Sequence, residues 1–239
     1  MAKKPYTIVF EDQDIVICNK ASGILSIPGR DPSQLSLQEL LKRKFKEDIF
    51  IVHRLDKDTS GIMCYAKNAA SHKFLCDQFE KRKVSKKYLA LVNGTPNPSE
   101  GKIENYLSQH VKGYMKVATT GKRAVSKYKT LKTYDQISLM EIEILTGRMH
   151  QIRVHMRSIG HPLVVDKLYG KRSELFLSEF STKRINRGKE SVERPLITRH
   201  SLHAHSLSFT HPKTKEKLFF ECDLPKDMKA VLHQLERNR

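Results

Sequence analysis

Residues 53–61, His-Arg-Leu-Asp-Lys-Asp-Thr-Ser-Gly, combine bases, carboxylates and hydroxyls within one short segment. The segment separates two apolar runs, 49–52 and 62–66, which are typical of buried strands. A polar cluster between two buried strands must lie at a strand end or in a tight loop, where functional residues are commonly placed. A carboxylate held there could act as a nucleophile or as a base. The alternative is an ordinary turn, because Asp, Ser and Gly are common turn residues.

The residues before and after this segment predict the elements that hold it. Residues 6–20 predict two short strands joined by a polar turn at 11–14. Ser36 and Glu39 form a capping box, and the apolar spacing behind them predicts a helix over about 36–47. A second helix is expected to begin after Asn68.

The second half of the chain predicts further strands and helices. Strands are expected over 88–92 and 138–145, and helices near Met149 and after Pro225. Short strands outnumber helices, and the turns lie too close together for repeated βαβ units. The sequence therefore predicts an α+β fold with a mixed, largely antiparallel sheet flanked by helices. We expect one domain over residues 1–239, with the polar segment 171–194 as a surface insertion.

The charge of the chain points to a polyanionic partner. The formal net charge is +18, and such an excess repels itself unless an external anion offsets it. Nucleic acid is the first candidate and an anionic membrane surface the second, although no apolar run is long enough for a membrane span. Two basic clusters, 81–87 and 105–134, predict a nucleic-acid surface. Its expected members are Lys81, Arg82, Lys83, Lys86, Lys87, Lys122 and Arg123.

Cysteine and histidine spacing indicates neither a metal nor a redox site. The four cysteines include no C-x-x-C pair, and a reduced cytoplasmic protein is expected. The histidines cluster at 150–155 and 200–205 without a zinc-binding spacing. Dinucleotide-binding and P-loop motifs are also missing from the sequence, so we expect no cofactor.

Five motifs in the correct order resemble those of the RluA-type RNA pseudouridine synthases. Residues 53–61 resemble the first signature of that family, and residues 146–155 resemble the second. Residues 11–23 resemble its first strands, residues 87–92 look like its tyrosine motif, and residues 202–204 together with 209–212 look like its closing motif. The likeness extends from about residue 6 to residue 225 and implies the pseudouridine synthase catalytic fold.

Within that family, the chain is most similar to the short members without an N-terminal S4-type RNA-binding domain. Residues 26–30, Ser-Ile-Pro-Gly-Arg, resemble the RluA subgroup itself, whose members act on ribosomal RNA and on transfer RNA. The implied partner is therefore 23S ribosomal RNA or transfer RNA, bound by a cytoplasmic monomer.

The resemblance implies specific roles for individual residues. Asp56 matches the catalytic carboxylate, and Arg153 matches the arginine expected to pair with it and keep it ionised. Tyr88 matches a tyrosine that could stack on the flipped uracil or act in the final deprotonation. Arg54 would fill the gap left by the flipped nucleotide or hold its phosphate, and Leu202 would form an apolar wall. Substrate binding is also implied for His53, Thr59, Arg148, His150 and Gln151.

Two other functions are alternatives to RNA isomerisation. A non-catalytic RNA-binding or ribosome-assembly factor would not need Asp56, Tyr88 and Arg153 together. A nuclease or nucleoside hydrolase could use Asp56 at C1′, but it would cut the strand or release uracil.

Overall fold

The structure is a computed structural model that describes residues 4–179 and 193–237. The strands are β1 Tyr6–Glu11, β2 Ile15–Lys20, β3 Phe50–Ile51, β4 Ser60–Ala66, β5 Ser85–Asn93, β6 Glu100–Gln109, β7 Met115–Ala118, β8 Lys122–Thr133, β9 Ile137–Ile144, β10 Leu202–Thr210 and β11 Lys217–Glu221. The helices are α1 Leu37–Phe45, α2 Ala69–Glu80, α3 Gln151–Ser158 and α4 Lys226–Arg237.

The chain forms two compact units, of which the first comprises residues 1–88 and 203–223. Its strands lie in the order β1-β2-β4-β10-β11, with the short β3 also beside β4. Strands β4 and β10 are parallel, whereas the other pairs within this unit are antiparallel. Leu75 of α2 packs into a core with Ile15, Ile62 and Phe209. This core fixes the end of β4 from which the polar segment 53–59 extends.

The second unit comprises residues 89–202 and 224–239. Strands β9, β8, β6 and β7 lie side by side in that order, and all three pairs are antiparallel. The buried stripe of α4, Met228, Val231 and Leu235, packs with Ile137 of β9 and with Leu91. Helix α3 follows β9 directly, so the residues of both lie in this unit.

The structure confirms the α+β class and most of the predicted elements. Helix α1 begins after Ser36 with the predicted capping box, and it ends at Phe45 because Lys46 takes a left-handed conformation. Helix α2 begins after Asn68, and α3 begins at Gln151, two residues after the predicted start. None of the described helices is long and apolar enough to cross a membrane.

The segment 171–194 is only partly described, because residues 180–192 lie outside the described residues. Within the described part, Leu175 is fully buried and forms an isolated bridge with Ile197. Residues Leu177–Glu179 form one turn of 3-10 helix. The prediction of a surface insertion therefore stays a prediction for the central residues.

Candidate active site

Asp56 lies in the loop between β3 and β4 of the first unit, where the sequence placed a site. Its side chain is half-buried, and its backbone carbonyl accepts a hydrogen bond from the Thr59 amide at 3.1 Å. Thr59 itself is buried, with 2% of its surface exposed. The loop therefore makes a tight turn that leaves Asp56 partly accessible while Thr59 closes the turn on its inner side.

Two buried side chains hold the carbonyl groups of the residues on either side of Asp56. The Ser26 hydroxyl accepts a hydrogen bond from the Leu55 amide at 3.0 Å and donates one to the Leu55 carbonyl at 2.8 Å. The Lys20 ammonium donates to the Lys57 carbonyl at 2.9 Å and to two further carbonyls of residues 21–24. Because Lys20 is fully buried, these carbonyls offset the cost of removing its charge from water. The backbone of Asp56 is thus held from both sides.

A third set of contacts fixes the start of β4. The Ser60 hydroxyl lies 2.9 Å from Nδ1 of His203, and the Cys222 Sγ lies 3.1 Å from Nε2 of the same ring. Burial raises the pKa of the Cys222 thiol to about 12, so the thiol keeps its proton. Gly61 has a φ of +123°, and a Cβ there would collide with the Ala204 carbonyl of the parallel strand. The glycine of the motif therefore permits the close approach of β4 and β10.

His53 has a structural environment in the first unit. Its Nε2 accepts a hydrogen bond from the Cys64 amide at 3.0 Å, and its ring stacks on Phe79 with 4.8 Å between centroids. Burial, followed by the positive charge of Lys86, lowers the pKa of His53 to about 3. The imidazole is therefore neutral, and it anchors the loop to β4 and α2. Arg54, the next residue, is exposed to solvent.

Tyr88 lies on β5 of the first unit and is 7% exposed. Burial raises the pKa of its phenol, and the negative charge of Asp56 raises it further. The phenol therefore stays protonated at neutral pH, where it can donate a hydrogen bond but is a poor resident base. This electrostatic coupling connects Tyr88 with Asp56.

In the second unit, Arg153 forms a bidentate ion pair that sequence reasoning missed. Its Nε and Nη2 donate to the two carboxylate oxygens of Asp166 at 2.6 and 2.9 Å. The guanidinium also lies over the Tyr169 ring, 4.8 Å from the centroid. Burial acts to raise the pKa of Asp166, but the hydrogen bonds and charge of Arg153 outweigh it and lower the pKa below its ordinary value. The expected pairing of Arg153 with Asp56 stays a prediction.

The turn between β9 and α3 carries the remaining residues of the second signature. Gln151 is buried: its amide oxygen accepts from the Thr146 hydroxyl and the Arg148 amide, and its NH₂ donates to β8. Its amide therefore holds the turn together. His150 has a left-handed φ of 55°, and its Nδ1 lies 2.9 Å from the Tyr169 hydroxyl.

Leu202 is buried at the start of β10, with 4% of its surface exposed. Arg199 donates from Nη1 to the carbonyls of His200 and Leu202, at 2.9 and 3.1 Å. The other edge of the guanidinium, with Nε and Nη2, forms a bidentate pair with Asp227 at the start of α4. Leu202 is thus fixed within the second unit through its backbone.

The expected RNA-binding residues divide between the two units. In the first unit, Lys81, Arg82 and Lys83 are exposed, whereas Lys86 and Lys87 are half-buried. In the second unit, Lys122 and Arg123 are exposed, and Arg123 forms an ion pair with Glu104 at 2.6 Å. Each unit therefore presents basic side chains to solvent.

Asp12, Asp14 and His211 form one cluster of side chains with metal-binding chemistry among the described residues. His211 Nδ1 accepts from the amides of Lys213 and Thr214, so its proton is on Nε2, which lies 2.8 Å from the Asp12 carboxylate. Hydrogen bonds between the loops explain this cluster without a metal ion.

Comparisons with known proteins agree with these motifs. A family model described as RNA pseudouridylate synthase matches residues 14–158. An uncharacterized RNA pseudouridine synthase of Aquifex aeolicus is 34% identical over 98% of this chain and 74% of its own length. The ribosomal large subunit pseudouridine synthase D of Blochmanniella floridana is 35% identical, with 98% of this chain and 74% of the relative covered.

A solved structure shows the same fold. The human protein named RNA pseudouridylate synthase domain containing 4 matches with a TM-score of 0.72 and 26% sequence identity. The match covers 96% of this chain and 92% of the human chain.

Proposed function

Because this chain belongs to the RNA pseudouridine synthase family, and is thus an isomerase that acts on RNA, we propose that Asp56 is its catalytic carboxylate. The observation that carries this proposal is the placement of Asp56 in the loop. The carbonyl groups of its two neighbouring residues are held by the buried side chains of Ser26 and Lys20. Its charge also acts on the buried phenol of Tyr88. A fixed carboxylate beside a buried aromatic ring suits attack on a flipped nucleotide.

The isomerisation breaks the bond from uracil N1 to ribose C1′ and forms a bond from C5 to C1′. The proton on C5 is lost, and N1 gains a proton, so the reaction needs neither oxidant nor reductant. Asp56 serves it by attacking C1′ or by removing a ribose proton, and both routes require the ionised carboxylate.

Tyr88 and Arg153 complete the proposed catalytic set. The raised pKa of Tyr88 favours stacking on the uracil and hydrogen bonding over action as a phenolate. Arg153 is assigned from its place in the second signature, and Asp166 fixes the orientation of its guanidinium. Arg54 is exposed within the loop, where it can contact the strand from which the uridine is flipped.

The proposed substrate is the RNA of the large ribosomal subunit, with transfer RNA as the second candidate. Relatives named for the large subunit support the first choice, since they align with nearly the whole chain. The exposed basic residues of both units would bind the phosphate backbone. We propose further that the chain acts in the cytoplasm as a monomer, with residues 1–239 as one catalytic domain.

Mapping of the product tests this proposal. Unmodified ribosomal and transfer RNA transcripts are incubated with wild-type protein or with Asp56→Ala, and pseudouridine is located by carbodiimide labelling and primer extension. We expect new stops with the wild type and none with the variant. A folded wild-type protein that binds RNA but yields no stop on any transcript would favour an assembly factor instead.

A further inference from the structure

Lys86 differs from the three exposed basic residues at the start of the 81–87 cluster. Lys81 is exposed and forms an ion pair with Asp77 at 2.7 Å, and Arg82 and Lys83 are also exposed. Lys86 is half-buried, and its ammonium lies 5.4 Å from the centre of the Phe79 ring. The Lys86 side chain thus lies against the last turn of α2, with its ammonium beside an aromatic ring.

No carboxylate or hydrogen-bond acceptor satisfies this ammonium within residues 4–179 and 193–237. Burial lowers the pKa of Lys86 accordingly, because the charged form loses solvation without gaining a counter-ion. The nearby His53 is neutral and does not compensate the charge. A half-buried cation without a counter-ion costs free energy, and such costs are typical of sites that bind an anion.

The position of Lys86 on β5 relates it to the proposed catalytic residues. Alternate residues of a strand face the same side, so Lys86 and Tyr88 lie on one face of β5, about 7 Å apart along the strand. Tyr88 in turn responds to the charge of Asp56. An anion bound by Lys86 would therefore lie close to a nucleotide held at Tyr88.

We infer that Lys86 forms a phosphate subsite, in which its ammonium binds a backbone phosphate of the RNA strand next to the target uridine. This inference rests on the proposed function. A lysine binds phosphate as a point charge, and half-burial strengthens the attraction because less water screens it. The exposed lysines of the cluster attract RNA over a longer range, whereas Lys86 fixes the register of the strand relative to Asp56 and Tyr88.

The test compares Lys86→Met, Lys86→Arg and a control, Lys73→Met, in which an exposed lysine of α2 is replaced. Methionine preserves the aliphatic stem and removes the charge, and circular dichroism verifies folding. The affinity for a ribosomal RNA transcript is measured over a series of potassium chloride concentrations, with an Asp56→Asn background to prevent turnover.

Lys86→Met should weaken binding about tenfold to a hundredfold, the range for a charge-assisted hydrogen bond. The slope of log K against log salt should also fall by about 0.7 to 0.9, the value of one phosphate contact. Lys86→Arg should retain most of the RNA affinity and most of the salt slope. Lys73→Met should change neither the affinity nor the slope. An unchanged slope in Lys86→Met, or an Arg variant as weak as the Met variant, would overturn the subsite. If the wild type produces pseudouridine, such a result rejects the subsite alone; if it produces none, the proposed function fails independently.

Discussion

Replacement of Asp166 by Asn should misplace the guanidinium of Arg153 although the new side chain has nearly the same size. In the wild type, one oxygen of Asp166 accepts Arg153 Nε at 2.6 Å, and the other accepts Nη2 at 2.9 Å together with the amides of Leu168 and Tyr169. An asparagine can keep the oxygen that accepts from Arg153 Nη2 and from the two backbone amides. Its NH₂ group would then face the Nε–H of Arg153, so two donors would oppose each other.

The cost follows from the burial of the pair. Asp166 is fully buried and Arg153 is 4% exposed, so the variant removes the negative charge that faces a buried guanidinium. Breaking such a pair costs about 3–5 kcal/mol of stability. Since Asn preserves part of the network, we expect a loss near 3 kcal/mol, and a larger loss for Asp166→Ala. A misplaced guanidinium should also lower the single-turnover rate constant by about a hundredfold.

Urea denaturation at pH 7 measures the stability, and single-turnover pseudouridine formation measures the rate. Asp135→Asn, which removes an exposed carboxylate of the same unit, is the control. In a double-mutant cycle with Arg153→Met, the two substitutions should be strongly non-additive. Additive effects, or an Asp166→Asn variant with wild-type rate and stability, would refute the positioning role.

Three further predictions concern residues around the loop and the buried histidines. Ser26→Ala should lower kcat about tenfold with little effect on RNA affinity, because both Leu55 hydrogen bonds are lost; equal loss in Ser26→Thr would indicate packing instead. Tyr88→Phe should retain the aromatic ring and most of the RNA affinity. The pH profile of the wild-type rate should show no ionisation of this phenol near neutral pH, because its pKa is raised. An acidic limb near pH 7 in that profile, lost in the variant, would contradict this. Burial lowers the pKa of His53 to about 3 and of His155 to about 4, so the unfolded state binds more protons below the ordinary value of 6.5. Stability should therefore fall by up to about 1.4 kcal/mol per histidine for each pH unit below 6.5, as measured by denaturation from pH 7 to 4.5, and a flat profile would contradict it.

Local signals in the sequence predicted the helices and the first hairpin well. The capping box at Ser36 and the cap at Asn68 depend on residues within four positions of each other, so sequence alone specifies them. Strands β6 and β8 were missed. Their outward faces carry alternating charged residues, and the run of lysines in β8 was interpreted as a basic surface without an assigned element.

The sequence predicted only those residues of the candidate site that lie in motifs resembling the family. Asp56 and Tyr88 lie in signatures. Ser26 lies in the subgroup-like segment 26–30, but its contact with Leu55, like the contacts of Lys20 and Asp166, joins residues that are not neighbours in the sequence. Their roles depend on hydrogen bonds that form only in the folded protein. The spacing of residues in the sequence gives no sign of these hydrogen bonds. Once Lys20 is known to be fully buried, backbone acceptors for its charge are expected.

Gln151 shows the reverse situation. The resemblance implied substrate binding, and the structure finds both ends of its amide engaged with Thr146, Arg148 and β8. A residue within a signature can therefore serve the turn that positions its neighbours.

The most direct test of the central claim measures the loss of the C5 hydrogen of uridine. RNA labelled with tritium at C5 is mixed with excess wild-type protein, Asp56→Asn, or Asp58→Asn as a control from the same loop. We expect tritium release by the wild type and by Asp58→Asn, and none by Asp56→Asn, although all three bind the RNA equally. Release by Asp56→Asn at the wild-type rate would contradict the assignment of Asp56 as the catalytic carboxylate.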